Sequence, residues 1–373
     1  MLYLGIDLHS KQLTISLRGE DGEVLLRRQV STRGEEPRRF LEDVALRAGE
    51  GGYVAVVEVC GFHDWLAELL AASSGCREVV LIQAEKQHTR KTDRRDAHTL
   101  SEILWVNRDR LLSGRKVQGV RRVVPPTPQD RDDRRLTQLR RNVGADLTRV
   151  LNGVRHILRR LNFEQHCPTK GIQTVAARQW LEKVVKLPEL DRLEMDHLLA
   201  RWKLLEEQQQ QLDRRIRERT AVHEQAVILR TVPGASGYTA LALASRIGDI
   251  DRFPTPRSLA NYWGLTPSCK NSGEATKRLG SITKEGSLLA RFLLGQLVLH
   301  VLRRDAGMRA WYQRIKKRRG SKIARVAVMR RLAVIFWHML KQRQPYALSV
   351  SAAQKPPPRR RRKMSPEPAA ASP

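Results

Sequence analysis

Residues 53–59 read YVAVVEV, and the fold class follows from this run and the segments around it. Apolar side chains occupy both faces of the run, which is typical of a parallel strand buried on both sides. Upstream, residues 2–7 (LYLGID), 11–17 and 23–30 alternate or run apolar, with a Gly-bounded turn at 19–22 between the last two. This pattern predicts three antiparallel strands ahead of the buried one.

The segments on either side of residues 53–59 complete an α/β layer. Residues 36–47 have the periodicity of a helix, residues 63–72 are amphipathic, and residues 78–83 read as a further strand. Alternation of helix and strand after a meander predicts an α/β domain over residues 1–124.

A long helical arm is predicted over residues 125–225. After a proline-rich stretch, apolar residues recur every three or four positions, and a second such helix follows Pro188. The first seam consists of Leu136, Leu139, Val143, Leu147, Val150, Val154, Leu158 and Leu161; the second contains Leu198, Trp202, Leu205, Gln209, Leu212 and Ile216. The two helices form a hairpin or coiled coil, which serves either as a spacer or as a dimerisation arm that also contacts nucleic acid.

Residues 226–350 are predicted to form a mainly α-helical domain. The turn VPGASG at 232–237 lies between two helical stretches, which makes a helix-hairpin-helix-like element. The helix N-terminus in such an element presents backbone amides suited to phosphate. Residues 351–373, rich in proline and arginine, are expected to be a disordered basic tail.

Charge indicates a polyanionic partner. The chain has 373 residues with 69 Lys and Arg against 39 Asp and Glu, a net charge of +30. The tail contributes six cations and one acid, so +25 remains elsewhere. The four cysteines lack paired CxxC spacing, and neither a signal peptide nor an apolar run of membrane-spanning length is visible. We therefore expect a cytoplasmic protein with no membrane association.

Four acidic residues stand where core residues are expected. Asp7 ends the first strand, Glu58 lies near the end of the buried strand, and KTDRRDAHTLSEIL at 91–104 places Asp93 and Asp96 on the helical face of Leu100 and Ile103. For Asp7 and Glu58 the alternative is a strand-end acid at the solvent edge; for the helical pair it is a favourable interaction with the helix dipole. Converging carboxylates favour hard divalent cations, Mg²⁺ or Mn²⁺. A pair of such cations can bind the attacking and the leaving oxygen when a phosphodiester reacts.

The motifs GIDLHS, VEVCG and KTDRRDA resemble the RuvC-like DEDD domain of insertion-sequence transposases, recombinases guided by a non-coding bridge RNA. The resemblance implies an RNase H/RuvC-like fold and metal ligation by Asp7, Glu58, Asp93 and Asp96. It also implies strand transfer between element ends and target DNA, a non-coding guide RNA, and a homo-oligomer, dimer or tetramer, acting in the prokaryotic cytosol at the nucleoid.

Residues 231–286 resemble the second conserved region of that family, including its GLTP turn at 264–267. The resemblance implies that Ser272 attacks DNA to form a phosphoserine. Gly273 permits close approach, and neighbouring Lys270, Lys277 and Arg278 suit phosphate oxygens. By composition alone Ser272 is a turn residue. Ser268 is the nearest rival, while Ser281 and Ser287 read as loop and helix-cap residues.

Two other functions fit parts of the sequence. One is a RuvC-like nuclease or junction resolvase that uses metal-activated water and no serine; the other is a non-catalytic nucleic-acid-binding protein with a degenerate acidic cluster. The basic run from Arg303 to Arg331, interleaved with Ile315, Ile323, Val326 and Val328, favours phosphate binding over a merely solvated surface.

Overall fold

A computed structural model of the chain describes residues 1–84, 93–269 and 279–348. The chain forms two compact units, Met1–Pro125 and a second that begins at Pro126. Among the described helices, none is long and apolar enough to cross a membrane.

The first unit is built on a six-stranded sheet with the order β3-β2-β1-β4-β5-β6. Its strands are β1 (Leu2–Leu8), β2 (Gln12–Arg18), β3 (Val24–Ser31), β4 (Tyr53–Glu58), β5 (Cys76–Ala84) and β6 (Val120–Arg122). Strands β1, β2 and β3 are antiparallel neighbours, and β4 lies parallel to both β1 and β5. The antiparallel meander and the buried parallel strand predicted from the sequence are confirmed.

Helices cover both faces of this sheet. They are α1 (Glu36–Ala48), α2 (Asp64–Ala71), α3 (Asp93–Val106) and α4 (Arg108–Leu112). One face packs Ile6 and Val57 against α1 and α2, and the other packs Tyr3 and Val56 against Leu100 of α3. Because side chains alternate along a strand, this division fixes the face of every residue in β1 and β4.

In its described residues, the second unit is helical except for one small hairpin and the loops. Its helices are α5 (Pro128–Arg160), α6 (Val175–Gln179), α7 (Glu189–Val222), α8 (Glu224–Arg230), α9 (Gly237–Ile247), α10 (Pro256–Tyr262), α11 (Leu288–Arg304) and α12 (Ala306–Lys341); the hairpin is β7 (Pro267–Cys269) and β8 (Leu279–Ile282). Short turns of 3₁₀ helix occupy Glu164–His166 and Ile250–Arg252, and Trp180–Val184 is π-helical.

The two long helices of the predicted arm are confirmed. Thr127 caps α5 by accepting a hydrogen bond from the Asp130 amide at 3.1 Å, and Pro128 opens its first turn. The helices pack through a buried core that includes Val154, Met195 and Trp202. The predicted seam is wrong at Leu139, which is 47% exposed. The apolar periodicity extends along α5 beyond that core.

The C-terminal core gathers α8 to α12. Ser236 caps α9 by accepting a hydrogen bond from Thr239, and Gly234 in the preceding turn lies against His300 of α11. The two predicted helices around this turn are therefore present, and phosphate binding by their amides stays a prediction. Helix α12 is interrupted at Gly320, whose φ of 81° and ψ of 167° are non-helical.

Candidate active site

Asp7 and Glu58 leave neighbouring strands at the same edge of the sheet. Ile6 of β1 is the register partner of Val57 in β4, and each is followed directly by one of the two acids. Parallel neighbours lie about 4.8 Å apart. By strand alternation Asp7 shares a face with Tyr3, and Glu58 shares it with Val56, so both point to the side covered by α3.

Helix α3 crosses β1 at very close range. A Cβ placed on Gly5 would lie 2.4 Å from the backbone nitrogen of Ser101 and 2.6 Å from the carbonyl oxygen of Ala97. Only glycine permits this approach. Gly5 lies two residues before Asp7 and on the same face, so the first turns of α3 lie over the face that carries both acids.

The direction of α3 is set by its C-terminal end. The Trp105 ring packs on Gly22, and its indole nitrogen donates to the carbonyl of Glu20 at 3.1 Å. This turn lies at the opposite edge of the sheet, since Arg18 just before it pairs with Tyr3 at the start of β1. Helix α3 therefore begins, at Asp93, near the edge where Asp7 and Glu58 lie.

A buried arginine fastens α3 to the sheet. Arg18 is 8% exposed and donates to the Ser101 hydroxyl at 3.1 Å and to the Gly22 carbonyl at 2.7 Å. It also lies 3.2 Å from the His98 ring, and Arg27 lies 3.0 Å from the same ring. Burial, then Arg27 and Arg18, lower the pKa of His98, which favours its neutral form.

The individual acids differ in surroundings. Asp7 is buried at 9% exposed, with one carboxylate oxygen 3.0 Å from Nε2 of His9. Glu58 and Asp96 are partly buried. The side chain of Asp93 lies outside the described residues. In the described part of the chain, no three His, Cys, Asp or Glu side chains are grouped closely enough to hold a metal ion. A four-carboxylate site therefore stays a prediction.

Ser272 also lies outside the described residues, but the hairpin that flanks it is described. The segments before β7 and after β8 cross so closely that a Cβ on Gly264 would lie 2.2 Å from the Glu285 carbonyl oxygen, and one on Gly286 would lie 2.1 Å from that of Tyr262. Both glycines have positive φ, 65° and 78°. Two ladder bonds, from Thr283 to Thr266 and from Lys284 to Gly264, close this crossing.

An arginine holds the crossing together. One terminal nitrogen of Arg291 donates to the carbonyls of Trp263, Glu285 and Gly286 at 3.2, 2.8 and 3.2 Å. Sequence reasoning missed both this residue and Gly5. For Gly5 one signal was available, because a glycine inside a strand indicates a close backbone approach. Of the other serines, Ser268 donates to the Ser281 carbonyl at 3.0 Å, and Ser287 caps α11, as predicted. The prediction of Ser281 as a loop residue is wrong, because Ser281 lies in β8 and its carbonyl faces β7.

The basic run of α12 presents its cations to solvent. Arg314, Lys316, Lys317, Arg318 and Arg319 are all exposed, while Val328 in the following half is buried. The predicted apolar base is wrong at Ile323, which is 55% exposed. The cations gather just before the break at Gly320.

Family models match both halves of the chain. A DEDD model of the IS110 type, described as a transposase, matches residues 4–163, and a model described as "Transposase IS116/IS110/IS902 family" matches residues 226–313. The chain carries two IS110-family transposase domains. Asp7, Glu58, Asp93 and Asp96 lie within the first match and Ser272 lies within the second.

Curated proteins similar to this chain include two that are described as transposases and one that is described as a gene-inverting protein. The transposase for insertion sequence element IS1111A of Coxiella burnetii is 23% identical over 92% of this chain and 90% of its own length. A probable family 20 transposase of Pseudomonas aeruginosa is 26% identical over 79% of the chain and 85% of its own. A pilin gene-inverting protein of Moraxella bovis is 27% identical over 34% of the chain and 39% of its own. The chain is thus a DNA strand-transferring enzyme, as predicted.

Proposed function

We propose that this transposase cuts and rejoins DNA through a serine–phosphate intermediate, with Asp7, Glu58, Asp93 and Asp96 holding divalent ions. The observation that carries the proposal is the position of Asp7 and Glu58. They leave adjacent parallel strands on one face, beneath the helix that begins at Asp93. A plain structural role does not require two acids side by side on the covered face of a sheet, where like charges repel and burial of a charge is costly.

The acids fit a hard divalent ion by their chemistry. Every proposed ligand is a carboxylate, the donor type that Mg²⁺ and Mn²⁺ prefer. When bound, such ions supply positive charge to the oxygens of a phosphodiester. The Arg18 network holds α3 on the sheet, and through it the spacing between the helix acid Asp96 and the strand acids.

In the serine step, Oγ of Ser272 bonds to phosphorus as one P–O bond of the DNA strand breaks. The hydroxyl proton passes through a base to the departing DNA oxygen. Because the new phosphoserine ester replaces the broken phosphate ester of the DNA, no external energy source is consumed. Attack by a DNA hydroxyl on the phosphoserine reverses these changes and joins a new strand. The crossing of Gly264 with Gly286 positions the two ends of the segment that carries Ser272.

We infer further that the acids of one subunit act with Ser272 of another. The long α5–α7 hairpin, which packs through Val154, Met195 and Trp202, has the form of a dimerisation arm. A mixture of two inactive variants tests this: Asp7→Asn and Ser272→Ala subunits together should recover activity. Mixed assemblies that stay inactive would contradict shared sites.

Trapping of the covalent intermediate tests the chemistry. Wild-type protein with labelled element-end DNA should give a protein–DNA adduct that survives denaturation, and Ser272→Ala should give none while still binding DNA. Ser268→Ala is the matched control and should keep the adduct, since its hydroxyl is engaged by the Ser281 carbonyl. Adducts lost with Ser268→Ala and kept with Ser272→Ala would reassign the nucleophile.

The same assay separates strand transfer from simple hydrolysis. A RuvC-like nuclease or junction resolvase would leave free ends, no adduct and an undiminished rate with Ser272→Ala. Rejoined strands support the proposal.

We propose a non-coding RNA as the source of target choice. The net charge of +30 and the exposed cations of α12 support a large polyanionic partner. The protein should be expressed together with the DNA that flanks its reading frame and then purified. One discrete transcript of that DNA should copurify with the protein, and recombination should require this transcript. Recombination with RNA-free protein would overturn the guide.

A further inference from the structure

Three arginines meet at the C-terminal end of α9. Nε of Arg134 donates to the Ser245 carbonyl at 2.7 Å, and a terminal nitrogen of Arg252 donates to the Arg246 carbonyl at 3.3 Å. Arg246 itself turns back to the Ala242 carbonyl at 2.9 Å. We refer to Arg134, Arg246 and Arg252 as the arginine cluster. Its hydrogen-bond acceptors include these carbonyls and, for Arg246, the Thr137 hydroxyl at 3.0 Å, and all of them carry only partial negative charge.

Among the described residues, the arginine cluster has no carboxylate in direct contact. In the described ranges, none of its members forms an ion pair with a carboxylate, whereas the partly buried Arg140 and Arg178 pair with Asp213 and Glu206. The charge of Asp130 acts on Arg134, but the Asp130 carboxylate forms no ion pair with it. This carboxylate instead accepts a hydrogen bond from Thr127 at 2.9 Å.

Burial makes this excess of positive charge costly. Arg246 is 8% exposed, and burial, then the charge of Arg134, lowers its pKa to about 10. Burial, and the charge of Arg252 among its neighbours, also lowers the pKa of Arg134. The charged forms of both side chains are thus disfavoured until an anion joins them.

Arg252 has hydrogen-bonding capacity that the protein leaves unused. Its guanidinium lies 4.6 Å from the ring centroids of Phe253 and Tyr262, which fixes its plane. Its Nε is buried and has no hydrogen-bond partner among the described residues. Arg134 and Arg252 are only partly buried, so the arginine cluster reaches the surface.

We propose that the arginine cluster binds a backbone phosphate of the DNA on which this transposase acts. A phosphate supplies the charge and the acceptor oxygens that the site lacks, and planar guanidinium groups match its geometry. Tyr262 links this site to the serine segment, because the same residue stacks on Arg252 and lies against Gly286 at the hairpin crossing. The proposal takes DNA as the substrate from the proposed function and depends on none of its chemistry.

The salt dependence of DNA binding tests the assignment. For the full-length protein and a DNA duplex, the plot of log Kobs against log salt concentration should lose about one unit of slope in Arg252→Gln, as expected for one lost phosphate contact. Arg178→Gln is the matched control: Arg178 also stacks on an aromatic ring, 4.2 Å from Trp202, but pairs with Glu206. Its slope should equal that of the wild type.

A second variant guards against loss of the fold. Arg252→Lys keeps the charge and loses the planar fork, so it should restore most of the slope with weaker affinity. Both variants are checked by thermal unfolding before binding is measured. A folded Arg252→Gln protein with the wild-type slope would overturn the proposal. A change seen with RNA duplex and absent with DNA would overturn the assignment to DNA.

Asp7→Asn in the same titration distinguishes the two proposals. It should abolish cleavage and leave the slope unchanged. If Asp7→Asn still cleaves DNA while Arg252→Gln lowers the salt slope, the proposed metal chemistry is wrong and the phosphate site is supported. If Asp7→Asn abolishes cleavage while Arg252→Gln keeps the wild-type slope, only the phosphate site is wrong.

Discussion

Gly5 of the first strand and Ser101 of α3 are in such close contact that a Cβ on Gly5 would lie 2.4 Å from the Ser101 backbone nitrogen. The contact places the helix that begins at Asp93 over the acids Asp7 and Glu58. The position of α3 relative to the candidate metal site therefore depends on Gly5, a residue with no side chain that could bind a metal or react.

Gly5→Ala should destabilise the first unit and impair cleavage together. The added methyl group overpacks a backbone contact, at an expected cost of about 1–3 kcal/mol in the free energy of unfolding measured with urea. Gly61→Ala is the control, because a Cβ there meets no atom within 4 Å, and it should change stability by less than about 0.5 kcal/mol. Equal stability of the two variants would show that α3 can shift freely.

Glu58→Gln should weaken divalent metal binding. Calorimetric titration of Mg²⁺ into wild-type protein should show saturable binding, and the variant should bind at least about tenfold more weakly, a change of about 1.4 kcal/mol. The control is Glu42→Gln, an exposed residue of α1 on the opposite face of the sheet. Wild-type protein that takes up no Mg²⁺ or Mn²⁺ would support the non-catalytic alternative considered from the sequence.

Gly286→Ala should disrupt the base of the serine segment. Its Cβ would lie 2.1 Å from the Tyr262 carbonyl oxygen, and its φ of 78° disfavours any L side chain, so we expect a loss of more than about 2 kcal/mol. Adduct formation should fall with it. Gly114→Ala, with φ of 71° and open space around the Cβ, isolates the backbone penalty and should cost about 1–2 kcal/mol. A cost for Gly286→Ala no larger than this would mean that the crossing relaxes.

Acid should destabilise the helical arm through Glu206. The hydrogen bond from Arg178 lowers the pKa of Glu206 below its usual 4.5. A carboxylate with a lowered folded-state pKa stabilises the fold above its unfolded pKa, and this contribution is lost as pH falls through the folded value. The midpoint temperature of thermal unfolding should thus fall more steeply for wild type than for Glu206→Gln as the pH decreases below about 4.5, the usual pKa of a glutamate. Parallel pH profiles would contradict the role of the pair.

The strands were predictable because the apolar pattern of each strand is a local property of the sequence. The strands at 2–7 and 53–59 lie where their apolar patterns predicted, and so do the long helices that follow Pro128 and Pro188. The face of α3 was harder to predict. The expected stripe included Ile103, but Ala97, Ser101 and Leu104 are the more deeply buried residues. Close packing over Gly5 requires small side chains on this face of α3, and a pattern of hydrophobic residues does not reveal side-chain size.

The arginine cluster illustrates what composition cannot show. Arginine is ordinarily assigned to the surface, and nothing in its residue type distinguishes Arg246 from the many exposed arginines elsewhere in the chain. Its burial results from packing between α5 and α9, elements separated by about a hundred residues along the chain, as its 3.0 Å bond to Thr137 shows. The roles assigned to Asp93 and Ser272 rest on the family resemblance.

The interruption at Gly320 separates two tasks within one continuous stretch. Residues before it expose a dense set of cations, and residues after it fill the C-terminal core through Val328, Leu332 and Phe336. A Cβ at Gly320 would meet no atom within 4 Å, so its backbone angles alone keep the helix from running straight. Met308, which precedes Gly320, is also buried in that core, so the cationic segment is anchored at its start as well as turned at its end. The angle at which these cations meet a nucleic acid is therefore set jointly by one backbone conformation and one buried side chain.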